Sequence, residues 1–244
     1  MKQRLFDIVI IGAGVIGHSI AFRLKQCRPD ISLAVLGDPM NSLMASRAAA
    51  GMLAPFGECD KADRFFKFCR ESLLQYPDFI EDLICTSGVP VHLSMKGSLI
   101  PSLSFVNGWE KQIRFFREEN VPHQIWSPER CRQLAPVLAE SCGEVIWVGE
   151  GQVNNREMHD ALVTASRKQG VEIFEKNVTG FTRDSSSIGA AVADTLEVRG
   201  QKFILSSGSW SSQLGDALDV SLPLKPIKGQ MCRVQVEDDQ LDYT

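Results

Sequence analysis

Three glycines near the start of the chain have the spacing of a phosphate-binding turn. Gly12, Gly14 and Gly17 follow an apolar run over residues 6–11 and precede a segment with helical periodicity. Gly12 permits a tight turn, Gly14 lets a pyrophosphate approach the backbone without meeting a Cβ atom, and Gly17 lets the helix pack closely against the strand. The phosphates would lie on unpaired N–H groups at the positive end of the helix dipole. This pattern predicts a dinucleotide-binding site.

The strand and the helix that such a turn requires are both indicated by the sequence. Ile16, Ile20 and Leu24 recur at four-residue spacing on one helix face, and Pro29 is expected to end the helix. Residues 31–36 are apolar enough for the next buried parallel strand. Because strand and helix context separates a real glycine turn from a chance match, we interpret the start of the chain as a complete β-α-β unit.

A signal peptide is the alternative interpretation of the same segment. Lys2 and Arg4 precede a largely apolar run over residues 8–22. Three glycines and His18 interrupt that run, however, and it is shorter than the ~20 residues of a membrane span. We therefore expect neither secretion nor stable insertion into a membrane.

Composition places the chain among ordinary globular proteins. Its 244 residues are 44% hydrophobic and 23% charged, which suffices for one large domain or two small ones. A formal net charge of -4 without a basic run argues against nucleic acid as a partner. Seven scattered cysteines and four histidines show neither Cys-x-x-Cys pairs nor metal-ligand spacing, which favours reduced thiols in a cytoplasmic protein without a metal site.

A second strand, near the end of the chain, also runs into small residues. Residues 203–205 are apolar and lead into Ser206-Ser207-Gly208, and ligands of open α/β sheets lie outside the carboxyl ends of the strands. Parts of one sheet are thus expected around Ile8 and around Leu205, with a substrate or cap region inserted between them.

Two breaks in regular structure are predicted from turn-forming residues. Pro77 is expected to divide the helical pattern of residues 60–84 into two helices, because proline lacks the N–H group that a helix interior needs. Arg199 and Gly200 are expected to form a turn between strands over residues 195–198 and 202–206.

A run of small residues from Ala45 to Pro55 has two interpretations on composition alone. Alanine is a good helix former, so a plain helical turn is one of them. The other is a surface for a flat ligand, because small side chains and Gly51 leave backbone N–H groups within reach.

Five motifs in order along the chain resemble the D-amino-acid oxidase family of FAD enzymes. They are Gly12-Ala13-Gly14-Val15-Ile16-Gly17, Ser46-Arg47-Ala48-Ala49-Ala50-Gly51-Met52-Leu53, Gly151-Gln152-Val153, Ser207-Gly208-Ser209-Trp210 and Pro226-Ile227-Lys228-Gly229-Gln230. Within the family, the Ala-Ala-Ala-Gly-Met-Leu run is most similar to the glycine oxidases of thiamine biosynthesis. The resemblance implies an α/β fold, in which a Rossmann-like FAD-binding domain carries an inserted α+β substrate or cap region.

The resemblance also implies how the chain is divided. Residues 1–88 and 151–222 would form the two parts of the FAD-binding domain, and residues 89–150 the first part of the substrate or cap region. Residues 223–244 would begin a second substrate segment. Family members continue beyond the position that matches Thr244, with the arginine that binds the substrate carboxylate, so the chain is expected to be incomplete at its C-terminal side.

The flavin site implied by the resemblance has its ADP part on the first β-α-β unit and its isoalloxazine ring along residues 45–52. The backbone of Val178 would meet the adenine. The position that usually carries a carboxylate for the ribose is Gly37, and Asp38 is expected to substitute for it with weaker FAD affinity. The expected cofactor-binding residues are Gly12, Gly14, Val15, Ile16, Gly17, Asp38, Ala45, Ser46, Ala50, Gly51, Met52, Val178 and Gly208. No catalytic side chain is expected, since the flavin carries the chemistry.

The activity implied by the resemblance is oxidation of the C–N bond of a small amine or amino acid. Such enzymes transfer a hydride to flavin N5 and pass the electrons to oxygen as peroxide, while the imine hydrolyses. A sarcosine-type oxidase or dehydrogenase and a catalytically inactive FAD-binding module are alternatives. An NAD-dependent dehydrogenase uses the same glycine turn but leaves residues 48–53 unexplained. A homo-oligomer is left open beside a monomer.

Overall fold

The computed structural model describes residues 4–41, 44–102, 108–135, 143–184 and 187–231. In these ranges, strands and helices follow one another along the chain, together with a 3₁₀ turn at Gly208–Trp210. They are β1 (Leu5–Ile11), α1 (Val15–Cys27), β2 (Leu33–Leu36), α2 (Ala45–Ala48), β3 (Met52–Leu53), α3 (Arg64–Ser87), β4 (Leu93–Ser94), β5 (Ser98–Pro101), α4 (Trp109–Glu118), β6 (His123–Trp126), α5 (Pro128–Leu134), β7 (Val145–Val148), β8 (Gly151–Val153), α6 (Asn155–Lys168), β9 (Glu172–Phe174), β10 (Gly180–Asp184), β11 (Ser187–Ala193), β12 (Leu196–Leu205) and α7 (Ser211–Asp216).

The first of two compact units comprises residues 1–49, 82–90 and 155–231. Its six-stranded sheet has the order β10-β11-β12-β1-β2-β9. The four strands from β12 to β9 are parallel, and the hairpin strands β10 and β11 extend the sheet in antiparallel pairing. Ile11 is in register with both Leu36 and Leu205, so three strands end at the same edge. The predicted β-α-β unit and the contribution of both chain ends to one sheet are confirmed.

The two faces of this sheet are covered by separate apolar clusters. Val9 and Ile11 of β1 pack with Ala34 and Leu36 of β2 in one cluster. Ile10 belongs to the other, in which Ala21 of α1 also packs. Because central parallel strands are buried on both faces, their sequences are continuous apolar runs, and each fully buried large side chain contributes about 1.5–3 kcal/mol to folding.

The predicted turn at Arg199 and Gly200 is wrong, because both residues lie inside the continuous strand β12. Gly200 is in register with Phe6, and a Cβ atom there would lie 2.6 Å from Cγ2 of Val9. The glycine therefore serves close approach of β12 to β1. The chain turns instead after β11, at Asp194, which has a φ of 54°. The strand β11 was not predicted because alanine and glycine have low strand propensity.

The second unit comprises residues 50–81, 91–154 and 232–244, the last segment lying outside the described residues. It contains two small antiparallel sheets, β3-β8-β4 and β5-β7-β6. Phe66, Phe115, Phe116 and Ile146 form the centre of its core. The amphipathic helix α4 buries one face in this core.

A buried carboxyl group fixes the chain just after β3. Glu150 is fully buried, and its Oε1 accepts hydrogen bonds from the backbone N–H groups of Phe56 (2.6 Å) and Gly57 (2.8 Å). Burial raises the pKa of this carboxyl group above its usual value. The two backbone hydrogen bonds make Glu150 a structural anchor of the second unit.

The prediction that Pro77 separates two helices is also wrong, because α3 runs without a break from Arg64 to Ser87. Leu73, Ile80 and Leu83 are buried at helical spacing on both sides of the proline. Burial of this apolar stripe outweighs the missing backbone hydrogen bond. The helix ends just before Gly88, which has a φ of 71° and whose N–H donates to Ile84 O at 2.8 Å.

The described ranges contain no helix that is both long and apolar enough to cross a membrane. Five of the seven cysteines fall in those ranges, and none of these five forms a disulfide bond. Cys142 and Cys232 lie outside the described residues.

Candidate cofactor site

The glycine turn leaves β1 between the ends of its two neighbouring strands. The N–H of Gly12 donates to Leu36 O at 2.8 Å, at the end of β2. On the other side, the N–H of Ser206 donates to Ile11 O at 2.8 Å, and the Ser206 hydroxyl donates to the same oxygen at 3.0 Å. The turn is therefore fixed from both sides at the carboxyl edge of the sheet, where open α/β sheets bind ligands.

A side chain at each of the three glycines of the turn would meet different neighbours. Gly12 has a φ of 116°, and a Cβ atom on it would overlap the carbonyl group of Ser206. A Cβ atom on Gly17 would overlap Gly12 O. Among the described atoms, a Cβ on Gly14 would meet just Ser46 Oγ, at 3.1 Å. The fold itself thus requires Gly12 and Gly17, whereas at Gly14 the tight contact would be with one side-chain atom, the hydroxyl oxygen of Ser46.

Ser46 joins the small-residue run to the glycine turn. Its Oγ accepts a hydrogen bond at 3.0 Å from the N–H of Val15, the first residue of α1. Its backbone oxygen accepts a bond at 2.7 Å from Nδ2 of Asn155, at the start of α6. The structure therefore brings together Gly14, Val15 and Ser46, which the sequence had named, and adds Asn155, which it had not.

Within the first unit, three other predicted residues lie near the turn. Ile16 is 62% exposed, and Ala45 is exposed at the start of α2. Gly37, directly after β2, has a φ of 143°, and a Cβ atom there would lie 2.8 Å from Ala13 N. Asp38 follows it, and its Oδ1 accepts a hydrogen bond from the N–H of Met40 at 2.8 Å. The carboxylate expected to replace the usual ribose ligand is thus placed at the end of β2, in a short turn that it stabilises itself.

The two predicted residues from the second half of the chain lie in connecting segments. Val178 precedes β10, which begins at Gly180, and packs partly buried against the sheet core. Gly208 lies three residues after the end of β12, with a φ of 55° and open space where a Cβ would be.

The remaining predicted residues, Ala50, Gly51 and Met52, belong to the second unit. Gly51 has a φ of 84°, and its oxygen accepts a bond from Val153 N–H at 2.9 Å. Met52 lies in β3 and is 52% exposed. The run from Ala45 to Pro55 therefore begins with a one-turn helix, α2, and continues into a segment that contains the short strand β3. The interpretation as a plain helical turn holds for its first part alone.

Two histidines are fully buried beneath the glycine turn, in the first unit. His159 Nε2 donates to Ala13 O at 2.9 Å, and His18 Nδ1 lies 3.0 Å from the hydroxyl of Ser166. The rings meet edge to face, with centroids 5.8 Å apart. Burial lowers the pKa of His159 and, helped by the charges of His159 and Arg167, lowers the pKa of His18 to about 3. Both imidazoles are neutral at physiological pH. The contact of His159 with Ala13 was not predicted from any sequence motif.

Arg47 of α2 contacts three residues of α6. Its guanidinium forms an ion pair with Asp160 and lies 3.4 Å from His159 Nδ1, while its backbone oxygen accepts a bond at 3.2 Å from Arg156 Nε. The side chain of Arg47 is 19% exposed. These contacts give the arginine a structural role in holding α2 against α6.

Comparison with known proteins gives consistent matches along the chain. The family described as FAD dependent oxidoreductase (DAO) matches residues 7–243. The bifunctional protein ThiO/ThiG of Synechocystis sp. is 29% identical over 237 residues, which cover 96% of this chain and 34% of that protein. Glycine oxidase of Geobacillus kaustophilus is 27% identical over 245 residues, covering 98% of this chain and 64% of the relative.

Solved structures agree with these matches. The crystal structure of glycine oxidase from Geobacillus kaustophilus superposes with a TM-score of 0.81 and 25% identity, over 90% of this chain and 60% of that one. Iminodiacetate oxidase from Chelativorans sp. superposes with a TM-score of 0.73 at 18% identity, which shows the fold alone. The chain spans about a third of the bifunctional relative and less than two thirds of the glycine oxidases.

Proposed function

This chain belongs to the DAO family of FAD dependent oxidoreductases, and from that premise we propose that it binds FAD and oxidises the C–N bond of a small amine or amino acid. Glycine-oxidase-like chemistry is favoured over other amine oxidation by the glycine oxidases among its relatives. We also propose that residues 1–88 and 151–222 form the FAD-binding domain. Residues 89–150 and 223–244 would belong to the substrate region.

The observation that carries the proposal is the glycine turn at the carboxyl edge of the sheet, where Gly14, which has no side chain, precedes the first residue of α1. The turn is fixed by Leu36 and Ser206, while a Cβ at Gly14 would meet just the Ser46 hydroxyl among the described atoms. A helix N-terminus with room for an anion is what a pyrophosphate requires. We propose as FAD ligands Gly12, Gly14, Val15, Ile16, Gly17, Asp38, Ala45, Ser46, Ala50, Gly51, Met52, Val178 and Gly208.

In this proposal the protein binds and orients, and bound FAD supplies the hydride acceptor. Backbone groups of the glycine turn hold the pyrophosphate, and the Asp38 carboxylate accepts hydrogen bonds from the ribose. The Ser46 hydroxyl accepts a bond from Val15 N–H, so its own proton is free to be donated to a phosphate oxygen. Oxygen is proposed as the final electron acceptor, and no side chain is assigned an acid or base role.

The proposal is tested on the purified protein by its absorbance spectrum and by peroxide release. We expect the absorbance of oxidised flavin, and peroxide when glycine or sarcosine is added in air. Faster turnover of sarcosine than of glycine would support the sarcosine-type oxidase or dehydrogenase instead. Bound flavin without turnover on any amine would assign the FAD-binding module, and NAD-dependent activity without flavin would refute the proposal.

Asp38→Ala is expected to weaken FAD binding by about 10- to 100-fold, because a hydrogen bond to a charged group contributes about 1.5–3 kcal/mol. Titration of the apoprotein with FAD, followed by flavin fluorescence, measures the change. Asp38→Asn keeps an acceptor for Met40 N–H and separates loss of the turn from loss of charge. Asp30→Ala, at an exposed position before β2, is the matched control. An unchanged Kd for Asp38→Ala would remove this residue from the site.

A further inference from the structure

His159 connects α6 to the middle of the glycine turn. The imidazole is fully buried, and its Nε2 donates to Ala13 O at 2.9 Å. Ala13 lies between Gly12 and Gly14 and is itself buried. On the other side, Gly37 approaches so closely that a Cβ atom on it would lie 2.8 Å from Ala13 N. The backbone at Ala13 is therefore confined on one side by β2 and its turn, and on the other side by a side chain of α6.

The contacts of the His159 ring require a single tautomer. An arginine side chain has N–H donors and no acceptor, so Nδ1, which lies 3.4 Å from Arg47 Nη1, must be unprotonated to receive it. The ring proton then resides on Nε2, which is the atom that faces the Ala13 carbonyl. Arg47 is in turn held by Asp160, the residue after His159. Burial lowers the pKa of His159 and so favours the neutral ring that this arrangement needs.

The carbonyl of Ala13 and the N–H of Gly14 belong to one peptide unit. The described chain contains no cis peptide bond, so these two groups point in opposite directions from the same plane. A carbonyl that points inward to His159 therefore directs the Gly14 N–H outward, to the side where a pyrophosphate would approach. Rotation of this peptide would remove the N–H from the phosphate and leave the carbonyl without its donor.

We propose that His159 is a positioning residue for FAD, which orients the Ala13–Gly14 peptide so that the Gly14 N–H faces the pyrophosphate. This inference rests on the proposed FAD binding at the glycine turn. The histidine does not touch the cofactor itself. It acts from α6, through the backbone, on a turn that lies 146 residues earlier in the chain.

The test compares FAD affinity with stability in matched variants. His159→Leu removes the donor, and we expect its Kd for FAD to rise about tenfold, the effect of one lost hydrogen bond. His159→Gln carries an amide N–H that reaches a similar position, and is expected to return the Kd to within about threefold of wild type. Each Kd is measured by titration of apoprotein with FAD, and each thermal midpoint without FAD.

Ser166→Ala is the control for a merely structural effect. It removes the hydrogen bond to His18 on the same buried face of α6 and does not touch Ala13. We expect a lower thermal midpoint with an unchanged Kd for FAD. If His159→Leu does not fold, His159→Asn replaces it, since its amide is too short to reach Ala13 while remaining polar.

The outcomes separate this inference from the proposed function. Wild-type protein that binds FAD, together with His159 variants that change stability and not Kd, would overturn the inference and leave the function standing. A folded His159→Gln variant that binds FAD as poorly as His159→Leu would also overturn it. Wild-type apoprotein that fails to bind FAD would overturn both.

Discussion

Gly14→Ala is expected to lower the affinity for FAD about a hundredfold while the protein stays folded. Gly14 has φ −78° and ψ −177°, an extended conformation that alanine adopts without strain. The new methyl group would meet just Ser46 Oγ among the described atoms, at 3.1 Å, so that this hydroxyl has to move by a few tenths of an ångström. The methyl group would, however, occupy the space through which a pyrophosphate reaches the backbone, and overpacking of a fixed site costs about 1–3 kcal/mol.

Two measurements on the same preparation check this expectation. Titration with FAD gives the Kd, and thermal unfolding of the apoprotein gives the stability. Gly180→Ala is the matched control, because a Cβ on this β10 residue has open space around it and its φ is outside the left-handed region. If Gly14→Ala binds FAD as tightly as Gly180→Ala, the pyrophosphate does not lie at this turn.

Gly17→Ala is expected to destabilise the protein rather than to act mainly on FAD binding. The free energy of unfolding should be much lower even without cofactor. The added methyl group would overlap the backbone oxygen of Gly12 and lie 2.9 Å from Ser206 Oγ. The turn cannot move aside, because Leu36 and Ser206 hold it in place. We expect a loss of about 3 kcal/mol, at the upper end for overpacking, and a midpoint lower by roughly 6–12 °C.

Thermal and denaturant unfolding of the apoprotein test the Gly17 prediction. Gly14→Ala, which adds the same methyl group three residues earlier, is the internal comparison and should unfold near the wild-type midpoint. A Gly17→Ala protein that unfolds at the wild-type temperature would show that α1 can move away from β1. In that case the close packing of helix and strand would not be the reason for this glycine.

The part of the fold that the sequence predicts correctly depends on local signals. The strand β1, the glycine turn and α1 each carry their own pattern, so the β-α-β unit follows from residues 6–36. That residues near Leu205 join the same sheet as β1 follows from a second apolar strand that ends in small residues near Gly208, whereas their direct pairing with β1 is shown by the structure. The DAO family fold is confirmed by the match over residues 7–243.

The parts that were predicted wrongly are those where packing outweighs local propensity. Gly200 resembles a turn residue, but its missing side chain serves the approach of β12 to Val9. Pro77 resembles a helix break, but the buried stripe that includes Leu73 and Ile80 continues the helix. In both cases the deciding contact comes from a distant segment, which a local pattern does not contain.

The candidate site also contains residues that local motifs predict and residues that only the structure reveals. The glycines and Ser46 are visible as motifs, while Asn155 and His159, which hold them, are 109 and 146 residues away from their partners in the chain. Asparagine and histidine on a helix give no sequence signal for such a contact. The same applies to the Met40 N–H that engages Asp38, because it depends on the path of the chain after β2.

The strand order has a consequence for synthesis on the ribosome. β1 lies inside its sheet, between β12 and β2. Ser206, which follows β12, lies 195 residues after its hydrogen-bond partner Ile11 at the end of β1. At translation rates of about 5–20 residues per second, the nascent chain carries β1 with one unpaired apolar edge for roughly 10–40 s. During that interval β2 can pair with the opposite edge of β1 and α1 can cover one face, but the edge that faces β12 stays unpaired until residues 196–205 have been made.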